Sequence, residues 1–405
     1  MKVLYFHQYF KTPEYPGGTR SYEFAKQLIS RGHSVCMVCG ATKKLKLPQT
    51  KKGIRRGFID GIEVIQIDVS VKNEDSIIQR VIGFVSFVLK SIKFALYEDY
   101  DLLFSTSTPL TVGIPGIIMK IFRKKKFVFE VRDLWPELPK ALGLKNPILL
   151  WGMYLLEWMS YKSSDGCVGL SPGICEGIRK KVGEKKSIAM IPNASDLELF
   201  FPENRNNLEL EGIKHEDTVA VFTGAHGVAN GLDAVLDAAI ELKKMKRDDI
   251  VFAFLGKGKM KNHLKKRTNE ERLNNCFFYD PMPKNELAKI LASADIGLMI
   301  LANVPAFYYG TSPNKFFDYI ASGLPVLNNY PGWLADMIEE NNLGIVCPPD
   351  NPKVFAEKLI ELADNKENRL QKGRNCRKFA EDNFSRQKMS NKFVDFLENI
   401  YANVV

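Results

Sequence analysis

Twice along this 405-residue chain a series of short apolar runs alternates with longer helix-patterned segments, and a polar stretch separates the two series. In the first, strands are expected at 2–6, 34–39, about 62–67, 101–106 and 127–131, with helices at about 18–31, 76–97 and 110–122. In the second, runs at 219–223, 250–255, 275–279, 295–301 and 324–327 repeat the pattern. Such alternation marks βαβ units, whose strands lie parallel under covering helices. Around Ile191-Pro192-Asn193 the first series stops, and a polar stretch with Pro202, Asn204, Asn206 and Asn207 runs to about Asp217. The expectation is an α/β chain of two domains, 1–195 and 196–384, with a helical tail from about 385 to 405 returning to the first. Two such domains facing each other leave a cleft, a preferred place for a ligand.

Charge and apolar runs narrow the partners. Met1-Lys2 leads directly into Val3-Leu4-Tyr5-Phe6, without the longer apolar stretch and cleavage site of a signal peptide, so a cytoplasmic location is expected. The segment from Ile77 to Leu96 is interrupted by Arg80, Lys90 and Lys93 and is not expected to cross a membrane. Seven scattered cysteines fit a reducing compartment, and the Cys36-x-x-Cys39 pair lacks the second pair that a zinc site needs. The net charge of +10 is concentrated. Lys43, Lys44, Lys46, Lys51, Lys52, Arg55 and Arg56 share a stretch without an acid, and Arg123-Lys124-Lys125-Lys126 forms a second cluster. No nucleic-acid motif or interleaved aromatic accompanies them, so an anionic phospholipid surface, and not nucleic acid, is the expected partner. Ile77, Val81, Phe84, Val88, Ile92 and Ala95 fall on one helical stripe, facing lipid or facing the core. Trp151 and Trp158 leave the same two alternatives open.

The segment from Tyr309 to Leu327 is the most informative: a loop, a helix opening near Pro313-Asn314-Lys315, a stop at Gly323 and a buried strand. A helix amino end carries free N–H groups and partial positive charge, and so favours a phosphate. Lys315 adds a full charge, and Asp318 one turn on suits ribose hydroxyls.

In these residues the chain resembles family 4 of the retaining glycosyltransferases, which have the GT-B fold of two facing Rossmann-like domains with the active site in the cleft. Ala321-Ser322-Gly323-Leu324-Pro325-Val326 keeps the family's small-residue stretch, and Asp318 stands at its second acid position, while Gly310 replaces the first acid. Further matches follow in the family's order: Pro16-Gly17-Gly18-Thr19-Arg20 after the first strand, Ile191-Pro192-Asn193-Ala194-Ser195-Asp196, and Ser293-Ala294-Asp295-Ile296-Gly297-Leu298. In Gly224-Ala225-His226-Gly227-Val228-Ala229-Asn230-Gly231, Asn230 replaces a family lysine. The motif Arg132-Asp133-Leu134-Trp135-Pro136-Glu137 is similar to that of L-fucosamine and related amino-deoxysugar transferases.

The resemblance implies that Gly17, Gly18, Arg20, Gly224, His226, Asn230, Gly231, Lys257, Thr311, Pro313, Asn314, Lys315 and Asp318 bind the donor, and that Asp133, Arg132 and Lys315 act in catalysis. It implies metal-independent transfer, with retention, from a UDP-sugar carrying an amino or deoxyamino hexose. The acceptor would be a lipid-linked saccharide of O-antigen or capsule synthesis at the inner face of the cytoplasmic membrane. No cofactor is expected. Structural readings stand beside these: a buried Arg132–Asp133 pair fixing its loop, a loop hydrogen bond for His226, a satisfied loop position for His7, and a solvated strand start for Asp99-Tyr100-Asp101. On the same scaffold a sugar-nucleotide epimerase, a phosphorylase or a non-catalytic nucleotide-sugar binding subunit also remains open.

Overall fold

The computed structural model describes residues 1–15, 17–41, 45–71, 75–141, 143–202, 210–308 and 310–402. Pro16, Lys43, Lys44, Asn204, Asn206, Asn207 and Tyr309, and the side chain of Ile77, lie outside the described residues. The chain divides into two compact units: Met1–Thr12, Gly17–Pro192 and Met389–Val405 form unit 1, and Pro13–Pro16 with Asn193–Lys388 form unit 2.

Unit 1 opens with β1 (Lys2–Phe6), α1 (Arg20–Ser30), β2 (Ser34–Gly40), β3 (Gln49–Lys51), β4 (Ile54–Ile59) and β5 (Ile62–Ile67). It continues through α2 (Ile77–Tyr97), β6 (Leu102–Thr106), α3 (Gly113–Phe122) and β7 (Lys126–Val131). After α4 (Glu137–Ala141) and α5 (Pro147–Ser163) come β8 (Gly166–Gly169), α6 (Pro172–Val182) and β9 (Ser187–Met190). The sheet order is β3-β4-β5-β2-β1-β6-β7-β8-β9. From β5 to β9 every pairing is parallel, as alternation predicts, but β3–β4 and β4–β5 are antiparallel.

Of the basic stretch at 43–56, the part from 49 on is this ribbon and not a loop, and Arg55 and Arg56 on it have partners. Arg56 bonds Glu63 through Nε at 2.7 Å and Glu98 through Nη1 and Nη2 at 2.8 and 3.0 Å, and Arg55 Nη1 donates to Leu47 O at 3.1 Å. The charges dense on this outermost ribbon are those that keep an edge strand from pairing with another chain.

Unit 2 holds β10 (Thr218–Thr223), α7 (Asp233–Lys244), β11 (Ile250–Leu255), α8 (Lys261–Glu270), β12 (Cys276–Tyr279), α9 (Lys284–Ser293) and β13 (Ile296–Met299). There follow α10 (Pro305–Tyr308), α11 (Asn314–Ala321), β14 (Val326–Asn328), α12 (Trp333–Glu340), β15 (Gly344–Val346), α13 (Pro352–Asp364) and α14 (Lys366–Asn383). Its six strands, ordered β12-β11-β10-β13-β14-β15, are all parallel. Strand residues such as Val221, Phe252, Phe254 and Leu298 are fully buried, as continuous apolar runs under helices on both faces require.

Local chemistry sets several boundaries. Ser76 and Gln79 form a capping box at the start of α2, and Ser171 followed by Pro172 opens α6. After α14 the chain bends at Phe384 and continues as α15 (Arg386–Ala402), most of which belongs to unit 1. There Phe393 stacks on Phe24 of α1 at 4.1 Å between ring centres. The expected stripe on α2 is rotated: Gly83, Phe87, Ser91, Phe94 and Ala95 are buried, with Val88 beside them, whereas Val81 is exposed and Phe84 and Ile92 are half-buried. All seven cysteines are free, and Cys36 and Cys39, three apart on β2, point to opposite faces.

Candidate active site

In a parallel sheet the loops that leave the carboxyl ends of the strands carry the ligand chemistry. At that edge of unit 2 the loops after β10 and β11 meet the amino end of α11. Lys315 Nζ lies 3.6 Å from the centre of the Phe222 ring and donates to Asn230 Oδ1 at 3.3 Å. Asn230 Nδ2 in turn donates to Ala225 O at 2.8 Å. A Cβ on Gly224 would stand 3.7 Å from Lys315 Nζ, so the exposed backbone at 224 is open toward the ammonium. Gly231, at φ 54°, is pressed so close to residue 302 that a Cβ would come within 2.6 Å of the Ala302 backbone.

Pro313 caps α11 with no side-chain hydrogen bond. The first N–H groups of the helix are therefore available to a ligand. Burial lowers the Lys315 pKa to about 7, and among the described residues no carboxylate offsets it. A cation held without an anion beside uncapped N–H groups makes a local field that favours an anion. Asn314 and Thr311 flank it, both half-buried.

His226 is held differently. Its ring is buried among Phe222, Phe254 and Phe278, and its pKa falls to about 4 through burial and then the nearby Lys261 and Lys315. Its backbone accepts from Met260 N and donates to Lys257 O, each at 3.0 Å, whereas neither ring nitrogen has a hydrogen-bond partner among the described residues. The Lys257 side chain is exposed. Asp318 is buried, and its Oδ1 accepts from Ser195 Oγ at 2.8 Å, while Asn193 N donates to Ser312 Oγ at 3.0 Å. Burial raises the Asp318 pKa, against the pull of Lys284 and the Ser195 hydrogen bond.

At the carboxyl edge of unit 1, three successive hydroxyl residues at the end of β6 hold three residues at the end of β7. Thr106 Oγ1 donates to Glu130, Ser107 Oγ accepts from Arg132 N at 2.8 Å, and Thr108 Oγ1 donates to Asp133 Oδ2 at 3.2 Å. Thr108 stands at φ 91°, which a β-branched residue rarely adopts. Strain of this kind gathers at functional sites. Burial raises the Asp133 pKa more than Arg132 and Thr108 lower it, so this carboxyl takes up a proton more readily than usual.

Arg20, expected on the donor, is instead turned inward. Its Nε and Nη2 bond Glu130 Oε1 at 3.0 and 2.9 Å, and Nη1 and Nη2 reach Pro192 O and Ile191 O, both at 2.6 Å. Glu130 is fully buried, and a buried carboxylate needs such a partner. Gly17, at φ 128°, and Gly18 remain exposed just before it. His7 also departs from expectation: it is buried with Nδ1 unpartnered among the described residues, as is the Gln8 amide. Asp99 and Asp101 tie β6 to β1 through Lys2, the first as an ion pair and the second accepting from Lys2 N at 2.7 Å.

Sequence reasoning missed Phe222, Ser195 and the hydroxyls at 106–108. The run Ser105-Thr106-Ser107-Thr108 closing an apolar strand was the available signal for the last. Phe222 and Ser195 touch their partners across 93 and 123 positions of sequence, where no local pattern points.

Two Rossmann-like units with polar carboxyl edges define a protein of the GT-B class. Sucrose-phosphate synthase from Thermosynechococcus elongatus has the same fold, with a TM-score of 0.80 at 15% identity over 100% of both chains. Anabaena HepE in complex with UDP and glucose gives 0.70 at 13% identity, covering 98% of this chain and 99% of that one. Residues 203–379 match the family described as Glycosyl transferases group 1, and residues 17–199 match Glycosyltransferase Family 4. The chain belongs to the glycosyltransferases built from these two domains. The probable glycosyltransferase WbjE of Pseudomonas aeruginosa is 24% identical over 270 residues, 65% of this chain and 66% of that protein.

Proposed function

We propose that the protein transfers an N-acetylated amino or deoxyamino hexose from a UDP-sugar to a lipid-linked saccharide, with retention of configuration, during O-antigen or capsule synthesis at the inner face of the cytoplasmic membrane. The observation that carries this reading is Lys315, a half-buried cation that no carboxylate among the described residues offsets, beside the uncapped amino end of α11. UDP as carrier is supported by HepE, a protein of the same fold solved with UDP and glucose. The amino-sugar preference rests on the Arg132-Asp133-Leu134-Trp135-Pro136-Glu137 motif and on Asn230.

In this mechanism Lys315 and the α11 N–H groups stabilise the charge that grows on the departing diphosphate. They supply what a metal would, so none is required. Asp133, fixed by Thr108, orients the acceptor hydroxyl, whose proton passes to a donor phosphate oxygen as the sugar bond forms on the face the diphosphate leaves. Arg132 steadies acceptor-side anionic groups.

The test incubates the protein with a panel of UDP-sugars and a lipid-linked saccharide in the presence of a chelator, and reads product configuration by NMR. An α-linked donor giving a β-linked product, or activity abolished by the chelator and restored by a divalent ion, would overturn the stereochemical or the metal-free part. A second reading, a donor-binding subunit without turnover, is favoured by Gly310 and Asn230, which stand at family positions for an acid and a lysine. Binding of UDP-sugar with no transfer to any acceptor would select it.

A further inference from the structure

Helix α5 is built inside out. Its 17 residues include Ile148, Leu149, Leu150, Trp151, Leu155 and Trp158, yet the three it buries are Glu157, Ser160 and Tyr161. A helix that is apolar on all sides is ordinarily enclosed by protein. Here Ile148 is 80% exposed and Trp151 67% exposed. Its neighbours continue the pattern, for α3 packs between α2 and α5. Of the 19 large apolar side chains exposed among the described residues, 14 lie on these three helices. Isolated exposed leucines need no explanation, but a contiguous patch beyond roughly a few hundred Å² marks an interaction surface.

The charges on this layer all have one sign outward. Helices α2 and α3 contain no Asp or Glu, and Glu157 of α5 is buried and paired with Lys181. The outward stripe of α2, Ile78-Ile82-Val85-Leu89, is followed one turn on by Lys93, and that of α5, Ile148-Trp151-Leu155-Trp158, by Lys162. Exposed Phe122 at the end of α3 is followed two residues on by exposed Lys124. Each apolar stripe thus ends in a cation, an arrangement that lets side chains enter the acyl boundary while ammonium groups reach headgroups. No helix among the described residues is long and apolar enough to cross a membrane.

We propose that the outer face of α2, α3 and α5 lies in the interface of an anionic bilayer, with Trp151 and Trp158 at headgroup depth. A second copy of the chain fits less well, because a twofold contact through this face would press surfaces of like charge together. The proposal rests on the membrane part of the function given above, but moves the docking surface from the basic ribbon at 49–56 to the helical layer. In a βαβ arrangement these helices begin at the carboxyl edge of the strands, the edge that holds Asp133, so a lipid-anchored acceptor would arrive at the site along the membrane plane.

The test is co-sedimentation with phosphatidylcholine vesicles, with and without phosphatidylglycerol, combined with tryptophan fluorescence. The wild type is expected to bind the anionic vesicles, with a blue shift in emission and a fraction that resists high salt. Trp151→Glu with Leu155→Glu should weaken binding by more than about tenfold, and Ile82→Glu with Val85→Glu should do likewise. Lys51→Glu with Lys52→Glu should have a smaller effect. All these side chains are exposed, so circular dichroism and transfer to a water-soluble acceptor should be unchanged. Undiminished vesicle binding by both helical variants would overturn the proposal. So would a dimer in sedimentation equilibrium that these variants abolish while the wild type ignores vesicles. Absence of transfer by every form, with vesicle binding intact, would instead count against the transferase reading alone.

Discussion

Arg20 and Lys315 are two buried or half-buried cations, each beside a glycine loop at the amino end of a helix, and the structure treats them in opposite ways. Arg20 has four hydrogen bonds and a fully buried carboxylate beneath it. Lys315 has an aromatic ring, an amide oxygen and, among the described residues, no acid. A cation whose charge is already met by protein holds a fold together; one left unmet has free energy to give to a ligand. Glycine-loop motifs alone do not separate these fates, since the deciding partner, Glu130, lies 110 positions from Arg20.

The largest expected effect lies on the Arg20 side. Arg20→Ala leaves Glu130 buried and unpaired and should destabilise unit 1 by about 3–5 kcal/mol, measured by urea unfolding. A loss below about 1 kcal/mol would show that Arg20 does not hold the fold and would break the contrast. Lys315→Ala should lower kcat by about 10²–10³-fold with a smaller change in donor KM, because its charge meets one that grows in the transition state. Its unfolding midpoint should not fall; a loss comparable with that of Arg20→Ala would make Lys315 structural too.

Asp318 lies between the two cases, expected on the ribose yet bonded to Ser195. Ser195→Ala should cost about 1 kcal/mol of stability and leave UDP affinity alone, whereas Asp318→Ala should cost about 1–3 kcal/mol and also weaken UDP binding. Equal UDP affinity in both variants would remove Asp318 from the donor site.

The smallest effect is a pH dependence. In the donor-free protein Lys315 loses its proton as pH passes about 7, instead of near its ordinary 10.5. A bound diphosphate favours the ammonium, so binding takes up a proton above that pH, and UDP-sugar affinity should fall as pH rises from 7, by no more than about tenfold per unit. For folding the sign is reversed: the burial penalty is full below about pH 7 and fades as pH rises toward 10.5, so donor-free stability gains from this group across that window. Calorimetry on wild type and Lys315→Ala checks both; a slope that survives in the variant belongs to another group.

What could be read from the chain were the features that local periodicity encodes. Apolar runs such as 219–223 and 250–255 became parallel strands, and the helix opening at 314 begins one residue after Pro313, because an apolar run between turn residues and a proline before a helix are decided within a few positions. The ribbon at 49–59 was not legible, since its charges obscure the alternation of an edge strand.

The sequence by itself therefore determined the α/β class, the alternation of strands and helices in both halves and the opening of α11 just after Pro313. Tertiary structure alone decided which cation is spent on Glu130, where Asp318 turns its carboxylate, and that α5 faces outward. Those outcomes depend on which distant residue arrives within hydrogen-bond reach, and on how much of a helix the sheet and its neighbours cover. Both are set by packing among segments far apart in the chain, and composition cannot express either.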